Sequence, residues 1–391
     1  MAAYRSEFIA GIDSIDAAQW DALAGDSYPF VRHAFLAALE HSGSVGDRSG
    51  WKPHHLVIRD ESTNTLVAAM PAYLKDHSYG EYVFDWGWAD AWHRNGYEYY
   101  PKLLSAIPFT PCSGPRLLFK DNNNSEILIN EILGAVRQEL SQKRLSSWHL
   151  LFPKEQMVNA LEQRSIAHRY GVQYHWHNRG YQCFDDFLGT MSSRKRKTLR
   201  RERRQVEEQG IRMRTLRGSD ISPADWKQFY LFYQMTYAKR SGHGGYLNQA
   251  FFVELAETMS DSLMLVMADH GDTCVGGALY LVGSDTLYGR YWGCIEDYNQ
   301  LHFEACYYRG IDYCIANGLQ RFDAGAQGEH KLTRGFEPIL THSFHIIPDP
   351  RFDAAIRDFL KREEPSIRAY CEQARDALPY RADIENGAGS L

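Results

Sequence analysis

The order of strands and one helix between residues 263 and 324 constrains most strongly what this chain can fold into. Two apolar and β-branched runs, Leu263 to Asp269 and Cys274 to Val282, predict a hairpin, and Thr286 to Gly293 predicts a third strand. His302 to Ala316 has apolar residues at helical spacing, and a short strand follows at Gln320 to Ala324. This order predicts an α/β (α+β) fold in which mixed sheets are covered by helices.

The first half of the chain has a similar order of elements. Runs at His54 to Arg59 and Leu66 to Leu74 predict a hairpin, and we expect a third strand over Tyr82 to Trp88. Apolar spacings of three and four residues predict a helix over Ile127 to Gln142, which precedes a strand at Ser147 to Phe152. The repeated order indicates a duplicated unit.

Two Trp-Gly segments and the chain length support a duplication. FDWGWADAW (84–92) and GRYWGCIED (289–297) suggest aromatic strand ends at similar places in the two halves. A chain of 391 residues also exceeds one ordinary hydrophobic core. We therefore predict two domains, 1–185 and 186–391, with the functional site in the second.

The overall composition is that of an ordinary globular protein. Lysine and arginine number 43 against 49 aspartate and glutamate, a net charge of -6, so any basic site must be local. The seven cysteines are widely spread without a C-x-x-C pair, which indicates reduced thiols. No apolar stretch approaches the roughly 18 to 20 residues of a membrane span, and the N-terminus has no signal-peptide core. These features predict a cytoplasmic protein without a membrane span.

The segment RKRKTLRRERR, Arg194 to Arg204, carries eight basic residues in eleven positions. A serine at 192 or 193 can begin a helix, Leu199 and Val206 lie seven residues apart on one face, and Gly210 can end it. The pattern predicts a helix with one narrow apolar stripe and an otherwise positive surface.

Two interpretations of this basic helix stay open. So dense a group of like charges favours a phosphate-bearing partner, either a nucleotide-containing cofactor or a tRNA. The alternative is a solvated face neutralised by Glu202, Glu207 and Glu208 at three- and four-residue spacing. The predicted phosphate-binding residues are Arg194, Lys195, Arg196, Lys197, Arg200, Arg201, Arg203 and Arg204.

The loop GAQGEHKLTRGFEP (325–338) follows a predicted strand and is dense in polar side chains. Loops at the carboxyl ends of strands often carry active sites, because the sheet holds their ends. An acid or imidazole here could take up a proton, and a cation could hold a carboxylate or phosphate. An ordinary polar loop is the alternative. The candidates are Gln327, Glu329, His330, Lys331 and Arg334.

The third predicted strand of this half contains a charged residue in apolar surroundings. Strand alternation places Arg290 and Trp292 on one face and Tyr291 on the other. Glu304 lies near the start of the next helix, where the helix dipole favours its ionised form. A structural salt bridge from Arg290 to Glu304 or Asp323 is an equal alternative to a direct role.

Several other chemistries lack their motifs. The sequence has no G-x-S-x-G, no G-x-x-x-x-G-K-[ST] and no G-x-G-x-x-G. His175 and His177 would share a strand face, but His342 and His345 would not. We therefore predict no metal site.

Four blocks of this sequence resemble one protein family. They are SSRKRKTLRRERRQVEEQGI (192–211), LYGRYWGC (287–294), LHFEACYYRGIDYCI (301–315) and GAQGEHKLTRGFEP (325–338). They resemble the FemAB-like branch of the GNAT superfamily, bacterial proteins described as predicted N-acyltransferases or as peptidoglycan-biosynthesis-related. The resemblance implies a tandem GNAT-like fold and transfer of an acyl or aminoacyl group to an amine. In related Fem proteins the donor is an aminoacyl-tRNA and the acceptor a peptidoglycan precursor.

One segment departs from the pattern of acetyl-CoA-dependent members. These carry a Q/R-x-x-G-x-G/A loop whose backbone N–H groups bind pyrophosphate. Here Cys294 to Leu301 reads CIEDYNQL, with two acids and no glycine. The basic helix could supply anion contacts instead, so the donor stays open between acyl-CoA and aminoacyl-tRNA.

Together these features predict an enzyme, an N-acyltransferase or aminoacyltransferase acting on a small-molecule or peptide amine, with tRNA as a candidate partner. The predicted catalytic residues are Glu304, Glu329 and His330. The predicted substrate-binding residues are Arg290, Trp292, Gln327, Lys331 and Arg334. Backbone N–H groups of Gly325 or Gly328 are candidate donors to an oxyanion. The alternative function is a non-catalytic RNA-binding or scaffold protein on the same fold.

Overall fold

The computed structural model describes residues 3–120, 124–242, 244–326 and 328–381. By their contacts the residues form two compact units. Unit 1 comprises Met1–Gly171, Tyr246–Phe251 and Leu340–Arg368, and unit 2 comprises Val172–Gly245, Phe252–Ile339 and Ala369–Leu391. The predicted domains 1–185 and 186–391 stay a prediction, because a division by contacts does not test which segments fold as domains.

The elements follow one another with short connections. Up to residue 177 they are β1 (Tyr4–Ile9), α1 (Ala17–Ala24), α2 (His33–His41), β2 (Trp51–Pro53), β3 (His55–Asp60), β4 (Leu66–Met70), β5 (Tyr73–Lys75), α3 (Trp86–Arg94), β6 (Lys102–Ser105), β7 (Leu118–Phe119), α4 (Ser125–Gln142), β8 (Trp148–Leu151), α5 (Glu155–Glu162) and β9 (Ala167–His177). The later elements are α6 (Phe184–Gly189), α7 (Ser193–Glu208), β10 (Ile211–Arg217), α8 (Pro223–Ser241), α9 (Gln249–Thr258), β11 (Leu263–His270), β12 (Thr273–Val282), β13 (Thr286–Cys294), α10 (Leu301–Phe303), α11 (Arg309–Ala316), β14 (Arg321–Asp323), β15 (Glu337–Ile346) and α12 (Pro350–Arg375).

One predicted strand is wrong. The segment expected to be a strand over Tyr82 to Trp88 leads into helix α3, and Asp85 is its N-cap residue. The buried residues Trp88, Ala89 and Trp92 recur at spacings of one, three and four, which fits a helix face and not a strand. The matching of 84–92 with 289–297 as two strand ends is wrong for the same reason.

Unit 2 contains the strands that hold the candidate site. Its sheet has the order β10-β11-β12-β13-β14-β9. All neighbours are antiparallel except β13 and β14, which run parallel and are joined by the helical segment from Leu301 to Ala316. The predicted order of three strands, a helix and a strand is therefore confirmed.

Unit 1 repeats the parallel pair with its connecting helix. Strands β6 and β8 run parallel, and α4 joins them. The predicted buried face of α4 is observed at Ile132, Leu133, Val136 and Leu140. A separate antiparallel sheet, β1-β3-β4-β7, completes the unit. The predicted mixed α/β fold with helix-covered sheets is confirmed. Throughout the described ranges, no helix is both long and apolar enough to span a bilayer.

Candidate active site

The candidate site lies where β13 and β14 separate. The two strands pair over three residues each, Thr286–Tyr288 with Arg321–Asp323. On the other side of β13 the register with β12 shifts at Arg290, which is the extra residue of a β-bulge. A bulge bends its strand and redirects side chains. The predicted alternation is therefore not observed, because Arg290, Tyr291 and Trp292 all line the same cavity.

This cavity has a volume of about 500 Å³ and lies within unit 2. Five segments of the chain contribute to it, and the described lining residues include no aspartate or glutamate. They are Thr236, Tyr237, Arg240 and Ser241 of α8; Ala278, Leu279 and Tyr280 of β12; Gly289, Arg290, Tyr291 and Trp292 of β13; His302, Cys306 and Tyr307 of the following helical segment; and Ala324, Gly325, Ala326, Gly328 and His330 after β14.

His330 and Tyr307 form a hydrogen-bonded pair at the cavity wall. The Tyr307 hydroxyl lies 2.7 Å from His330 Nε2. Burial lowers the pKa of His330, and the charges of Arg334 and Lys331 lower it further. Burial also raises the pKa of the Tyr307 hydroxyl. At neutral pH the imidazole is therefore uncharged and the phenol protonated, so the pair can accept one proton and donate another.

Arg334 anchors the turn that carries His330. Its Nη2 donates to both carboxylate oxygens of Glu202, at 3.0 Å each, and its Nε donates to the Tyr308 hydroxyl at 3.1 Å. Its Nη1 donates to the His330 carbonyl at 2.9 Å. The guanidinium also lies 3.4 Å from the centroid of the Phe303 ring. Arg334 is buried, and its donors bond other residues of the protein. These contacts do not favour its predicted role in holding substrate, which stays a prediction.

Lys331 and two glycines shape the loop before this turn. Lys331 is buried, and its Nζ donates to the Gly325 carbonyl. The Gly325 N–H donates to Asp323 at 2.9 Å, so this amide is already bonded and is a poor candidate for an oxyanion donor. Gly328 has φ +115°, and a Cβ there would lie 2.5 Å from the His330 ring. Glycine is therefore required beside His330. Gln327 lies outside the described residues.

The two predicted catalytic carboxylates lie outside the cavity lining. Glu304 is buried and receives hydrogen bonds from Arg203 Nε and Nη2 at 3.1 Å and from Arg309 Nε at 2.8 Å. Glu329 accepts from the Tyr370 hydroxyl at 2.5 Å. Glu304 and Asp323, the two acids considered as partners of Arg290, are thus bonded elsewhere. Of the three predicted catalytic residues, His330 is the one that lines the cavity.

The basic segment forms helix α7, which begins after Ser192 and ends before Gly210 as predicted. Leu199 and Val206 are buried as predicted. Glu202 is buried with them and bonds Arg334, so its expected place on the neutralised basic face is wrong.

Part of the basic face is neutralised and part is not. Arg200 pairs with Asp185 at 2.8 Å, Arg204 with Glu208 at 3.2 Å, and Arg203 with Glu304 and Asp312. The remaining basic side chains form no ion pair or side-chain hydrogen bond within the part of the chain that the structure describes. They are Arg194, Lys195, Arg196, Lys197 and Arg201.

Helix α8 and its contribution to the cavity were not predicted from the sequence. Ser222 and Asp225 form a capping box around Pro223, and Gly242 has φ +72° at the C-cap. These are ordinary start and stop signals of a helix, so the helix itself was detectable. That Arg240 would line a cavity with residues about 40 to 90 positions later was not detectable from local pattern. In the described ranges, no group of three or more histidine, cysteine or acidic side chains is placed to hold a metal.

The FemAB-like family model, described as peptidoglycan biosynthesis/recognition, matches residues 11–382. The solved structure of FemX is similar, with a TM-score of 0.53 and 11% identity over 88% of this chain and 98% of that chain. The C-terminal domain of an Agrobacterium fabrum protein assigned as a lysylphosphatidylglycerol synthetase has a TM-score of 0.53 and 9% identity, over 88% and 95%. A tandem GNAT protein from the clavulanic acid pathway has a lower TM-score of 0.47 at 10% identity, over 89% and 99%. The search of curated proteins found no match. At such identities the likenesses to FemX and to the Agrobacterium fabrum domain concern the fold alone.

Proposed function

Because the chain belongs to the FemAB-like family, described as peptidoglycan biosynthesis/recognition, we propose that it is an N-acyltransferase or aminoacyltransferase acting on an amine. The observation that carries the proposal is the cavity between the diverging β13 and β14, with the His330 and Tyr307 pair at its wall. An amine attacks a carbonyl only in its neutral form, so a nearby proton acceptor accelerates transfer. An uncharged imidazole meets that need.

In the proposed reaction the amine nitrogen attacks the acyl carbonyl carbon. The new C–N bond forms as the C–O bond of an ester donor or the C–S bond of a thioester donor breaks. His330 takes the proton that the amine loses, and Tyr307 protonates the departing oxygen or sulfur. The hydrogen bond between the two side chains lets the proton return from His330 to Tyr307. Glu304 and Glu329 are less favoured as bases, since each is bonded away from the cavity.

We propose an RNA-borne donor, aminoacyl-tRNA, in preference to acyl-CoA. The five basic side chains of α7 without ion pairs in the described structure present positive charge to a phosphate backbone. The segment before α10, where acetyl-CoA-dependent relatives bind pyrophosphate, instead carries the acids Glu296 and Asp297. Carboxylates at this position would repel an anion, and the neighbouring Lys239 ammonium is already paired with Asp297 at 2.8 Å. The proposed acceptor is a small-molecule or peptide amine, with peptidoglycan-related precursors as the first to test.

Single-turnover transfer from aminoacyl-tRNA and from acetyl-CoA tests the chemistry. His330→Gln should reduce the rate by about 100-fold or more, the usual contribution of a general base. Glu329→Gln is the matched control on the neighbouring residue and should retain most of the activity, because its carboxylate bonds Tyr370 outside the cavity. Full activity of His330→Gln, or a larger loss in Glu329→Gln, would contradict the assignment of the base.

A non-catalytic RNA-binding protein is the second candidate, and the basic face of α7 favours it. Replacing Arg194, Lys197 and Arg201 by Gln should weaken RNA binding and lower the salt slope by about 2 to 3. The control is the same loss of charge on α12, at Arg357, Arg362 and Arg368, where each cation already pairs with an acid four residues away. RNA binding with a steep salt dependence, and no transfer from either donor, would favour this candidate over the enzyme.

A further inference from the structure

The cavity beside His330 is lined by cationic side chains. Arg240 and Arg290 both line it, and no acid is among its described lining residues. Burial lowers the pKa of His302 to about 3, and the charge of Arg240 lowers it further. The imidazoles of His302 and His330 are therefore neutral at pH 7 and add no charge. The two arginines set the electrostatic character of the cavity.

Four acids on or beside the segments that line the cavity are bonded to other groups. Asp323 accepts from the Gly325 N–H at 2.9 Å, and Glu329 accepts from the Tyr370 hydroxyl at 2.5 Å. Glu304 pairs with Arg203 and Arg309, and Asp297 pairs with Lys239. Arg240 is exposed at the end of α8, and its side chain forms no hydrogen bond or ion pair with any residue in the described ranges. The Arg240 guanidinium could therefore bind an anion in the cavity without breaking a hydrogen bond or ion pair to another described residue.

We propose that this cavity binds a ligand that carries a carboxylate, which Arg240 holds, while a flat or apolar part of the ligand lies against Trp292. This inference rests on the proposed function and deepens it. The part of the donor or acceptor that Arg240 holds therefore carries a carboxylate, and the reacting amine lies apart from it, beside His330. The planar guanidinium suits this role, because its two N–H groups match the two oxygens of a carboxylate.

The aromatic rings of the cavity could instead attract a cationic ligand. Tyr237, Tyr291, Trp292 and Tyr307 also line the cavity, and such rings can attract an ammonium group through their faces. In this cavity the guanidinium charges of Arg240 and Arg290 oppose that attraction. The charge preference of the cavity therefore decides between an anionic and a cationic ligand.

Titration calorimetry with three matched probes measures this preference on the full chain at low salt. N-acetylphenylalanine, its uncharged amide and phenylalanine amide share one ring and carry charges of about -1, 0 and +1 at neutral pH. We expect the carboxylate to bind about tenfold more tightly than the uncharged amide, as for one charge-assisted hydrogen bond, and the cation to bind least. Arg240→Gln should abolish the preference. Lys239→Gln, which removes the same charge from the adjacent residue outside the cavity lining, should retain it.

Three results would overturn the proposal: equal binding of the probes, tightest binding of the cation, or failure of the carboxylate to bind at millimolar concentration. An equal loss of preference in Lys239→Gln and Arg240→Gln would overturn the role of Arg240. The measurement involves no donor and no turnover. A protein that transfers no acyl group can therefore still show the preference, and an active transferase can lack it, so the two proposals fail separately.

Discussion

Removing Arg334 should destabilise the protein far more than removing an exposed arginine. Arg334→Leu removes three hydrogen bonds to Glu202 and Tyr308 and one to the His330 carbonyl. Glu202 is then left as a carboxylate whose side chain is 11% exposed, without its cation. Removing one partner of a buried ion pair costs about 3–5 kcal/mol, because the remaining charge stays desolvated. We expect a loss of unfolding free energy in that range.

The double variant sharpens this prediction. Glu202→Leu together with Arg334→Leu leaves no buried charge, and apolar replacements of a buried pair are often tolerated. The double variant should therefore be more stable than Arg334→Leu. The control is Arg362→Leu, which breaks an exposed pair with Asp358 whose side chains are 72% and 67% exposed. This control should change stability little.

Urea unfolding followed by tryptophan fluorescence measures the global effect. Hydrogen exchange of the peptides covering α7 and the turn Glu329–Arg334 measures the local one, which matters because two units need not unfold together. Unfolding of Arg334→Leu and Arg362→Leu at the same urea concentration would contradict the predicted cost of the buried Glu202 charge. A double variant less stable than Arg334→Leu would contradict it as well.

Two further predictions concern packing and pH. Gly293→Ala should destabilise the protein by about 1–3 kcal/mol, because the added Cβ would lie 2.1 Å from the Phe232 carbonyl oxygen. Gly134→Ala in helix α4 adds a Cβ with no atom within 4 Å and should stabilise the protein by about 0.5–1 kcal/mol. Thermal unfolding that shifts in the same direction for both variants would contradict this prediction. Burial lowers the pKa of His149 to about 3. Below about pH 6.5 this histidine is therefore protonated in the unfolded chain and stays neutral in the folded chain. The free energy of unfolding should fall by up to about 1.4 kcal/mol per pH unit as the pH decreases. Unfolding midpoints measured from pH 7 to 5 should have a shallower slope in His149→Gln, and an unchanged slope would count against this histidine.

Much of the local structure could be predicted because its causes lie close together in sequence. Helix α7 follows from an N-cap serine, an apolar stripe and a terminating glycine. The hairpin of β11 and β12 and the helix-joined pair β13 and β14 follow from strand and helix periodicities and from turn residues. The strand expected over Tyr82 to Trp88 is wrong because its aromatic residues and Val83 favour strands by composition, while the buried residues of α3 have helical spacing.

The roles of the charged residues depended on contacts that no local pattern contains. The sequence by itself determined that basic side chains crowd one helix and that polar groups crowd the loop after β14. Only the tertiary structure decided which of them are used internally, because a buried charge requires a partner and that partner can lie anywhere in the chain. Glu202 and Arg334, 132 residues apart, became an internal pair. His330 was brought to a cavity wall with Tyr307, and Arg240 was brought to the same cavity from a helix that the sequence analysis had not identified.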